Sequence, residues 1–559
     1  MKTTPLALAL VPALLSPTAA LAGDLFVDVN ATAGASDGSS WTNAFQGPLG
    51  LKDALAAAAA GDHIFVAQGT YVPSATGTRT QSFGLKDGVE LYGGCVGTEA
   101  EPEDRPAIGS APTILSADLN GNDASGIITD NSYHVIRGFS VSASAVVDGF
   151  VVRGGFANAG GSNNDRGAGI LCTNGSSPTI RSCSFEDNRC NFGGGAGYIN
   201  GASPTFTDCQ FIDNLGGSFG GAFDMATASG VRFDRCTFTG NRANRAGALE
   251  IFASSGIVVN NCVFRDNVAT GSGGGGALWL GSGGSAQVVN CTIVGNRGQT
   301  TTVGGLLNQG TSVTLRNSIL WGNEGSNGAT NANNQLVGAS AQYCLVQGGV
   351  SGTGNVSADP EFVDQAAGDL RVLGSSPAID AGSNAAVPGA VTLDAAGGER
   401  FQDLLLVADS GAGTAPVVDL GAFELQTELG EEVACTPQPN STGSPSVLAA
   451  NGSPFLNDNL VQLDVTGLPT GQFAYFVLSD ATGNASVGSG TLCLGPPIVR
   501  LYASLLNTGA AGSGSFVVDL TALPQGTVIA AGETWNFQLW HRDQGATSNF
   551  SNALGLTWE

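Results

Sequence analysis

Aspartate is the residue type whose spacing in this sequence most suggests chemistry. Asp187 and Asp213 occupy equivalent positions in two neighbouring copies of a repeated hexapeptide, and Asp266 recurs two copies later. Such carboxylates would repel one another unless water or a cation lay between them, and Ca²⁺ takes oxygen ligands of this kind. The acidic loop around Asp118 and Asp123 also has a calcium-like composition, without the spacing of the helix-loop-helix motif. Solvated turn carboxylates are the simpler interpretation of both groups, and calcium at Asp187, Asp213, Asp118 and Asp123 is the alternative.

A tryptophan near the C-terminus is the candidate for ligand binding. In an alternating strand, Trp535, Phe537 and Leu539 share one face, which we assign to the core. Trp540 then lies on the opposite face together with Arg542. An exposed tryptophan on a β-sandwich can stack on a sugar ring. The alternative is that Trp540 covers a sheet edge or packs against the preceding domain.

Residues suited to catalysis are sparse. After residue 22 the only lysines are Lys52 and Lys86, so a lyase acting on uronates would need an arginine as its base. Arg189, Arg242 and Arg297 each follow a repeated asparagine, and we interpret them as turn residues. An inverting glycosidase needs two carboxyl groups about 6.5–9.5 Å apart, and the sequence has no Asp-Asp or Asp-x-Asp pair. Carboxylates from different coils can still converge, so catalysis remains open, and we assign no catalytic residue.

A repeat of 26 to 29 residues must position these side chains. Its clearest element is a short Cys-x-Phe strand that ends in asparagine. The cysteines are Cys183, Cys209, Cys236, Cys262 and Cys291, and the asparagines are Asn188, Asn214, Asn241, Asn267, Asn296 and Asn323. Three short apolar strands per period, separated by Gly, Asn and Ser turns, describe one coil of a parallel β-helix. Alternation places Cys183 and Phe185 inside. The asparagines are predicted to form a ladder, since stacked amides bond to one another and Asn tolerates left-handed turns.

The cysteines fall into two groups. Those of the repeat should stack about 4.8 Å apart with their side chains in register, so we expect buried thiols rather than disulfides or metal ligands. Cys435 and Cys493 lie in or beside the C-terminal part of the chain. A disulfide between them would close a 58-residue span and contribute roughly 4 kcal/mol by loop entropy.

The fold class predicted is all-β, a right-handed parallel β-helix solenoid followed by a C-terminal β-sandwich. Residues 23–426 form the β-helix, with an N-terminal cap that includes a helix from Leu51 to Ala60 and with a C-terminal closing segment. Residues 427–446, rich in Glu, Pro, Ser and Thr, are predicted to be a linker. Residues 447–559 contain alternating strands between Gly, Pro and Asn turns and form the sandwich.

Targeting and charge bear on location and partners. Residues 1–22 are predicted to be a signal peptide, with Lys2, an apolar run from Leu6 to Leu15 and small residues at Ala20 and Ala22. No later stretch is apolar enough for a transmembrane segment. The formal charge of −25 argues against nucleic acid and anionic membranes as partners. We therefore expect a secreted or cell-surface protein, and a monomer.

Two further motifs carry a family resemblance. The segment from Gly61 to Tyr71 and the Cys-x-Phe-x-x-Asn coils resemble the right-handed β-helix proteins of the pectate-lyase-like superfamily. The segments Ser375–Gly382, which reads Ser-Ser-Pro-Ala-Ile-Asp-Ala-Gly, and Asp419–Glu424 are similar to the closing part of large secreted or surface proteins that planctomycetes encode in many copies. The resemblance extends over roughly 25–424. It implies a fold and not an activity, since the superfamily includes lyases, hydrolases, esterases and adhesins.

The polar residues of the closing segment are predicted to pair with one another and cap the last coil. They are Asp380, Asp394, Arg400, Asp419 and Glu424.

The sequence as a whole favours a structural or adhesive protein whose partners are polysaccharide or other cell-envelope components. The alternative is a polysaccharide lyase or glycoside hydrolase acting on acidic polysaccharide. A groove with three or more converging carboxylates and an arginine would favour the enzyme, and a smooth exterior would favour the scaffold.

Overall fold

A computed structural model describes residues 23–161, 163–299, 303–325 and 330–559. The predicted signal peptide, 1–22, lies outside the described residues. In the described chain, parallel sheets run along a solenoid, and antiparallel sheets form a C-terminal domain. The predicted fold class is therefore confirmed. No helix in these ranges is long and apolar enough to cross a membrane.

Three parallel sheets form the solenoid, because each coil contributes one short strand to each sheet. The strands of the first sheet are Asp24–Asp28, Phe45–Gln46, His63–Ala67, Glu90–Cys95, Val146–Asp148, Thr179–Arg181, Thr205–Thr207, Arg232–Asp234, Ser254–Asn260, Gly284–Val289, Ser312–Arg316 and Ala341–Gln342. Those of the second sheet are Gly69–Tyr71, Thr113–Ser116, Phe150–Arg153, Ser184–Glu186, Gln210–Ile212, Thr237–Thr239, Val263–Arg265, Thr292–Val294, Ile319–Trp321 and Leu345–Val346. Those of the third sheet are Phe83–Gly84, Ile136–Phe139, Ile170–Thr173, Gly197–Asn200, Phe223–Ala226, Leu249–Phe252, Leu278–Leu280, Leu306–Asn308 and Leu336–Val337.

Shorter elements complete the chain. Two-residue strands follow the second sheet at Phe156–Ala157, Arg189–Cys190, Arg242–Ala243, Val268–Ala269 and Arg297–Gly298. The α-helices are Gly50–Ala57 and Ala332–Gln335. The 3₁₀ turns are Trp41–Asn43, Pro102–Asp104, Asp123–Ser125, Asn384–Ala386, Leu456–Asp458, Tyr502–Ser504, Pro524–Gly526 and Gln544–Ala546.

The interior is built from side chains that repeat in register from coil to coil. Phe185, Phe211, Phe238 and Phe264 are paired in succession along the second sheet and are fully buried. Their ring centroids lie 5.4, 4.8 and 4.5 Å apart, so the rings form a continuous stack. The repeat cysteines lie in the same interior, and all five are buried, free thiols.

The left-handed turn after the second-sheet strands of the asparagine repeat lies one residue earlier than the sequence suggested. Positive φ belongs to Asp187 (51°), Asp213 (52°) and Gly240 (68°), which precede the ladder asparagines, and not to the asparagines themselves. Aspartate and glycine both tolerate this conformation. The Asp213 carboxylate lies where a Cβ on Gly240 would be, since Oδ1 is 2.1 Å from that position. The expectation that the ladder asparagines supply the left-handed residue is thus corrected.

Both ends of the solenoid are covered. The helix Gly50–Ala57, which ends three residues before the predicted end at Ala60, buries Leu51, Ala54 and Leu55 against the first coils. At the other end, a hairpin of Phe362–Asp364 and Asp369–Val372 leads into 387–427, which contains neither helix nor strand.

The closing segment is held by a buried polar network. Arg400 is fully buried, lies 3.5 Å from Glu424, and donates through Nη2 to the carbonyl oxygens of Asp419 (2.9 Å) and Gly421 (2.8 Å). Backbone N–H groups donate to the carboxylates of Asp394, Asp419 and Glu424. The polar residues of this segment thus bond mainly to backbone groups that no strand satisfies.

The C-terminal domain consists of antiparallel sheets. One contains Glu428–Leu429, Val447–Gly452, Val461–Thr466 and Gly514–Val518. The other contains Glu431–Glu432, Ser548–Thr557, Thr534–Arg542, Phe473–Ser479 and Val499–Arg500, with Leu506–Asn507 beside it, and Thr482–Val487 and Gly490–Leu494 form a hairpin. The stretch predicted to be a linker, 427–446, therefore contributes one short strand to each sheet, because its backbone pairs with open sheet edges.

Candidate functional site

A lateral groove of about 510 Å³ lies at the ends of three adjacent strands of the second sheet. These strands are Thr113–Ser116, Phe150–Arg153 and Ser184–Glu186. Carboxylates, arginines and one aromatic ring line the groove together. Its lining includes Asp118, Asp123, Asn131, Arg153, Phe156, Asp187 and Arg189.

The groove opens where the asparagine ladder begins. Register places Gly154 and Gly155 beside Asp187 and Asn188 of the next coil. The Gly155 N–H donates to Asn188 Oδ1 at 3.0 Å, so Gly155 takes the ladder position without a side chain. A Cβ on Gly154 would lie 3.1 Å from Asp123 Oδ2. These two glycines leave the space that the groove occupies.

The loop 117–134 forms the wall of the groove. Asp118 accepts hydrogen bonds from the backbone N–H groups of Asn122 (3.1 Å) and Asp123 (3.0 Å), which closes the loop on itself. Fully buried Asn131 connects the loop to the coil, because its Nδ2 donates to Asp123 Oδ2 (3.0 Å) and to the Gly154 carbonyl oxygen (2.7 Å). The loop is therefore built around its own acidic side chains.

Asp123 is the electrostatically unusual group of the groove. Burial, together with the negative charges of Asp118 and Asp130, raises the pKa of Asp123 above its usual range. The hydrogen bond from Asn131 and the charge of Arg153 oppose this shift. The groove therefore contains a carboxyl group, that of Asp123, which takes up a proton more readily than usual and lies near other carboxylates and a guanidinium.

Several oxygens of the groove wall have no protein partner. Asp123 Oδ1, Asp130 Oδ1, Asn122 Oδ1 and Asn131 Oδ1 are shielded from solvent and accept no hydrogen bond from the described residues. Buried acceptors of this kind are costly unless a donor reaches them. They suit a ligand that supplies hydroxyl groups or a cation.

The structure brings together three of the four aspartates considered for calcium. Asp118, Asp123 and Asp187 line the groove, whereas Asp213 lies outside its lining, on the next coil, and is exposed. Partial burial and the nearby Asp187 charge raise the pKa of Asp213. None of the four belongs to the one set of three possible ligand oxygens within 4.8 Å that the described residues contain.

Sequence reasoning missed Arg153, Asn131 and Phe156 as site residues and interpreted Arg189 as a turn residue. A signal for them was available. Aligning Gly154-Gly155 with Asp187-Asn188 shows that one coil lacks its ladder side chain just beside the acidic loop. A gap in a repeat is a place where a ligand can enter.

Trp540 lies in a partly covered position. It is only partly exposed and packs on Tyr475 with ring centroids 4.8 Å apart, while Arg542 is exposed. Asn536 and Gln538, which alternation places on the same face as Trp540, are both buried. The hairpin of Thr482–Val487 and Gly490–Leu494 covers this face, since Gln538 Oε1 accepts a hydrogen bond from the Cys493 N–H at 2.9 Å. The ring of Trp540 is therefore not an open platform.

A larger depression, of about 760 Å³, crosses the C-terminal domain. Glu428, Glu431, Glu432 and Glu559 contribute to it, but no arginine, lysine or aromatic ring is among its lining residues. It offers a ligand fewer complementary groups than the groove does.

The predicted ladder residues bond to one another in sequence. Nδ2 of each asparagine donates to Oδ1 of the next, at 2.8 to 3.1 Å, from Asn188 to Asn323. Gln335 ends the ladder, because its Oε1 accepts from Asn323 Nδ2 at 2.6 Å. Burial raises the pKa of the Cys183 thiol to about 12, so this thiol is poorly suited to nucleophilic chemistry. Cys435 and Cys493 form a disulfide.

Comparison with known protein families agrees with the fold. A family model described as a right-handed β-helix region matches residues 109–293 and 222–362. Among solved structures, the crystal structure of pectate lyase Pel9A is similar, with 15% identity, 72% of this chain and 96% of that chain covered, and a TM-score of 0.34. No curated protein matches. These likenesses concern architecture and assign no activity.

Proposed function

We propose that this protein is a secreted or cell-surface β-helix that binds polysaccharide in the groove beside Asp118. The supporting observation is the convergence of three aspartates, two arginines and Phe156 where the ladder begins. The parallel coils provide a rigid frame, and the groove is the place where the repeat is interrupted. Its function in this proposal is recognition, so the protein is an adhesive or structural component.

The chemistry of the groove suits a sugar chain. Planar carboxylate and amide groups recognise hydroxyl pairs, and arginines donate to hydroxyl or carboxylate oxygens. Phe156 offers an apolar face, the usual complement to the C–H face of a sugar ring. Arg153 and Arg189 are exposed and free to turn toward a ligand, whereas Asn131 is fixed by its two hydrogen bonds.

A matched pair of arginine variants tests the proposal. Arg189 lies in the groove, and Arg242 occupies the same repeat position two coils away, outside the groove lining. The full chain is screened on an array of neutral and uronate polysaccharides, and affinity for the best oligosaccharide is then measured by calorimetry. We expect Arg189→Ala to weaken binding by about 10- to 100-fold, as for a lost charged hydrogen bond, and Arg242→Ala to bind as the wild type does. An array without signal, or equal effects of the two variants, would overturn the proposal.

A second candidate function, cleavage of acidic polysaccharide, is favoured by one observation. Asp123 has a raised pKa and lies in a groove with Asp118, Asp187 and two arginines, a suitable set for general acid or base catalysis. Incubation with polyuronates, followed by assays for reducing ends and for unsaturated products, distinguishes a hydrolase from a lyase. Asp123→Asn should abolish product formation while leaving binding measurable. If the wild type binds but forms no product, the protein is a binding protein alone.

A further inference from the structure

Three aspartates converge in the closing segment, far along the chain from the groove. Carboxylate oxygens of Asp380, Asp403 and Asp409 all lie within 4.8 Å of one another. Asp380 is buried, Asp403 is partly buried, and Asp409 is exposed. The group therefore extends from the interior to the surface and can be reached from solvent.

The backbone holds Asp380 in place. Its N–H donates to Asp419 Oδ1 at 2.8 Å, and its carbonyl oxygen accepts from the N–H groups of Ser410 and Gly411, both at 2.9 Å. Its φ of 50° is in the left-handed region, which costs free energy for a residue with a side chain. Three backbone hydrogen bonds thus fix a strained residue whose carboxylate meets two others.

In the part of the chain that the structure describes, these three carboxyl groups have no basic side chain as an ion-pair partner. Asp380 is 1% exposed, yet its Oδ2 has no hydrogen-bond partner. Among the described residues, no Lys, Arg or His forms an ion pair with Asp380, Asp403 or Asp409. The adjacent Arg400 is directed to the carbonyl oxygens of Asp419 and Gly421 instead. A carboxylate oxygen this deeply buried is costly unless a cation or a proton neutralises it.

We infer that Asp380, Asp403 and Asp409 bind a calcium ion that organises the closing segment. All three donors are hard carboxylate oxygens, and no cysteine or histidine takes part, which favours Ca²⁺ over transition metals. Two of the three lie on an irregular loop, which suits the flexible coordination of Ca²⁺ better than the strict octahedron of Mg²⁺.

The site would connect distant parts of the chain. Asp380 follows the hairpin, and Asp403 and Asp409 belong to the segment 387–427, which contains no helix or strand. Asn451 of the C-terminal domain holds the same loop, because Nδ2 donates to the Asp403 carbonyl oxygen at 3.0 Å and Oδ1 accepts from the Leu405 N–H at 3.2 Å. A cation here therefore stabilises both the end of the solenoid and its contact with the next domain.

The test compares melting temperature and calcium binding of the full chain after removal of cations with EDTA. Saturating CaCl₂ should raise the melting temperature of the wild type by about 3 °C or more, and calorimetry should show a binding heat. Asp403→Asn with Asp409→Asn should abolish both effects. Asp380→Asn should also abolish the calcium response, yet melt at or above the wild-type temperature in EDTA, because it removes a buried charge without a partner.

Two control variants test whether the calcium response comes from Asp380, Asp403 and Asp409. Asp187→Asn with Asp213→Asn removes two aspartates from the coils, and Asp118→Asn with Asp123→Asn removes two from the groove. Both double variants should keep the calcium response. Identical melting of the wild type in CaCl₂ and EDTA would overturn the inference, and so would an undiminished response in the Asp403/Asp409 variant. The outcome is independent of polysaccharide binding.

Discussion

Each ladder asparagine bonds to groups on both neighbouring coils. Asn241 Oδ1 accepts from the N–H and from Nδ2 of Asn214, while Asn241 Nδ2 donates to the Phe211 carbonyl oxygen and to Asn267 Oδ1. All of these groups are buried, so no water can replace them. The amide therefore belongs to a cooperative chain of hydrogen bonds along the solenoid axis.

Replacing Asn241 tests this chain. Asn241→Ala leaves the Asn214 N–H and the Phe211 carbonyl oxygen without these partners, and we expect the free energy of unfolding to fall by roughly 2–4 kcal/mol. Urea denaturation measures the change. Asp213→Asn is the control, since it alters an exposed turn residue on the preceding coil and asparagine tolerates its positive φ. A midpoint for Asn241→Ala close to that of the control would contradict the argument.

A buried acidic pair lies on the outer side of the third sheet. Asp224 and Glu250 are directly paired on adjacent strands and are 4% and 1% exposed. Arg245 binds Glu250 and lies 3.9 Å from the ring centroid of Trp279. Burial, and then the charge of Glu250, raises the pKa of Asp224 to about 7, although Arg166 and Arg245 favour its ionised form.

Because the pKa of Asp224 is raised in the folded state, its contribution to the free energy of unfolding depends on pH. Between pH 4 and 7 folded Asp224 holds a proton that the unfolded chain has lost, so its contribution to stability falls as pH rises and is constant above about pH 7. Asp224→Asn removes this dependence. We expect the variant to gain about 2–4 kcal/mol over the wild type between pH 4 and pH 8. Urea midpoints measured across this range test the prediction, and the exposed Asp266→Asn variant should follow the wild-type curve.

At the scale of elements, the second sheet is stabilised by its aromatic stack. Phe238 lies between Phe211 and Phe264, with centroid distances of 4.8 and 4.5 Å, and is fully buried. Removing the ring opens a cavity inside a solenoid whose neighbouring coils cannot close it without losing register.

The free energy lost through that cavity can be compared with the loss on removing a partly exposed phenylalanine ring. We expect Phe238→Ala to lower the free energy of unfolding by about 3–5 kcal/mol. Phe252, on a third-sheet strand, is 42% exposed, so Phe252→Ala should cost less than about 1 kcal/mol. Equal losses in denaturant titrations of the two variants would contradict the expectation that the buried ring of Phe238 stabilises the second sheet.

Strand positions were predictable because they follow a local period, and the gap in that period at Gly154 and Gly155 marks the place of the groove, whereas the wall of the groove was not predictable. The Cys-x-Phe repeat locates the second sheet and its register, and the helix at Gly50–Ala57 follows from composition alone. The wall of the groove depends instead on Asn131, whose bonds join the loop to Gly154, 23 residues away. Such contacts between a loop and a coil leave no periodic signal. The covering of Gln538, on the same face as Trp540, left no periodic signal either, since a separate hairpin provides it.

At the scale of the molecule, the solenoid and the C-terminal domain have separate hydrophobic cores. A third cluster, in the closing segment, includes Phe455 of the C-terminal domain. Arg371 pairs with Glu559 at 2.8 Å, and the Gly374 N–H donates to Asp458 Oδ2 at 2.7 Å. The domains are thus docked through a small polar and apolar contact while each retains a core of its own, so we expect two calorimetric transitions.

The disulfide should affect one of these transitions alone. Cys435–Cys493 ties the hairpin strand Gly490–Leu494 to the segment that enters the C-terminal domain, and its 58-residue span constrains the unfolded chain by roughly 4 kcal/mol. We expect Cys435→Ser with Cys493→Ser to lower one calorimetric transition by about 10 °C and to leave the other unchanged. Reductant should shift the wild type in the same way and leave the double variant unaffected, because the remaining cysteines of the described chain are free thiols. A shift of both transitions would mean that the solenoid and the C-terminal domain unfold as one unit despite their separate cores.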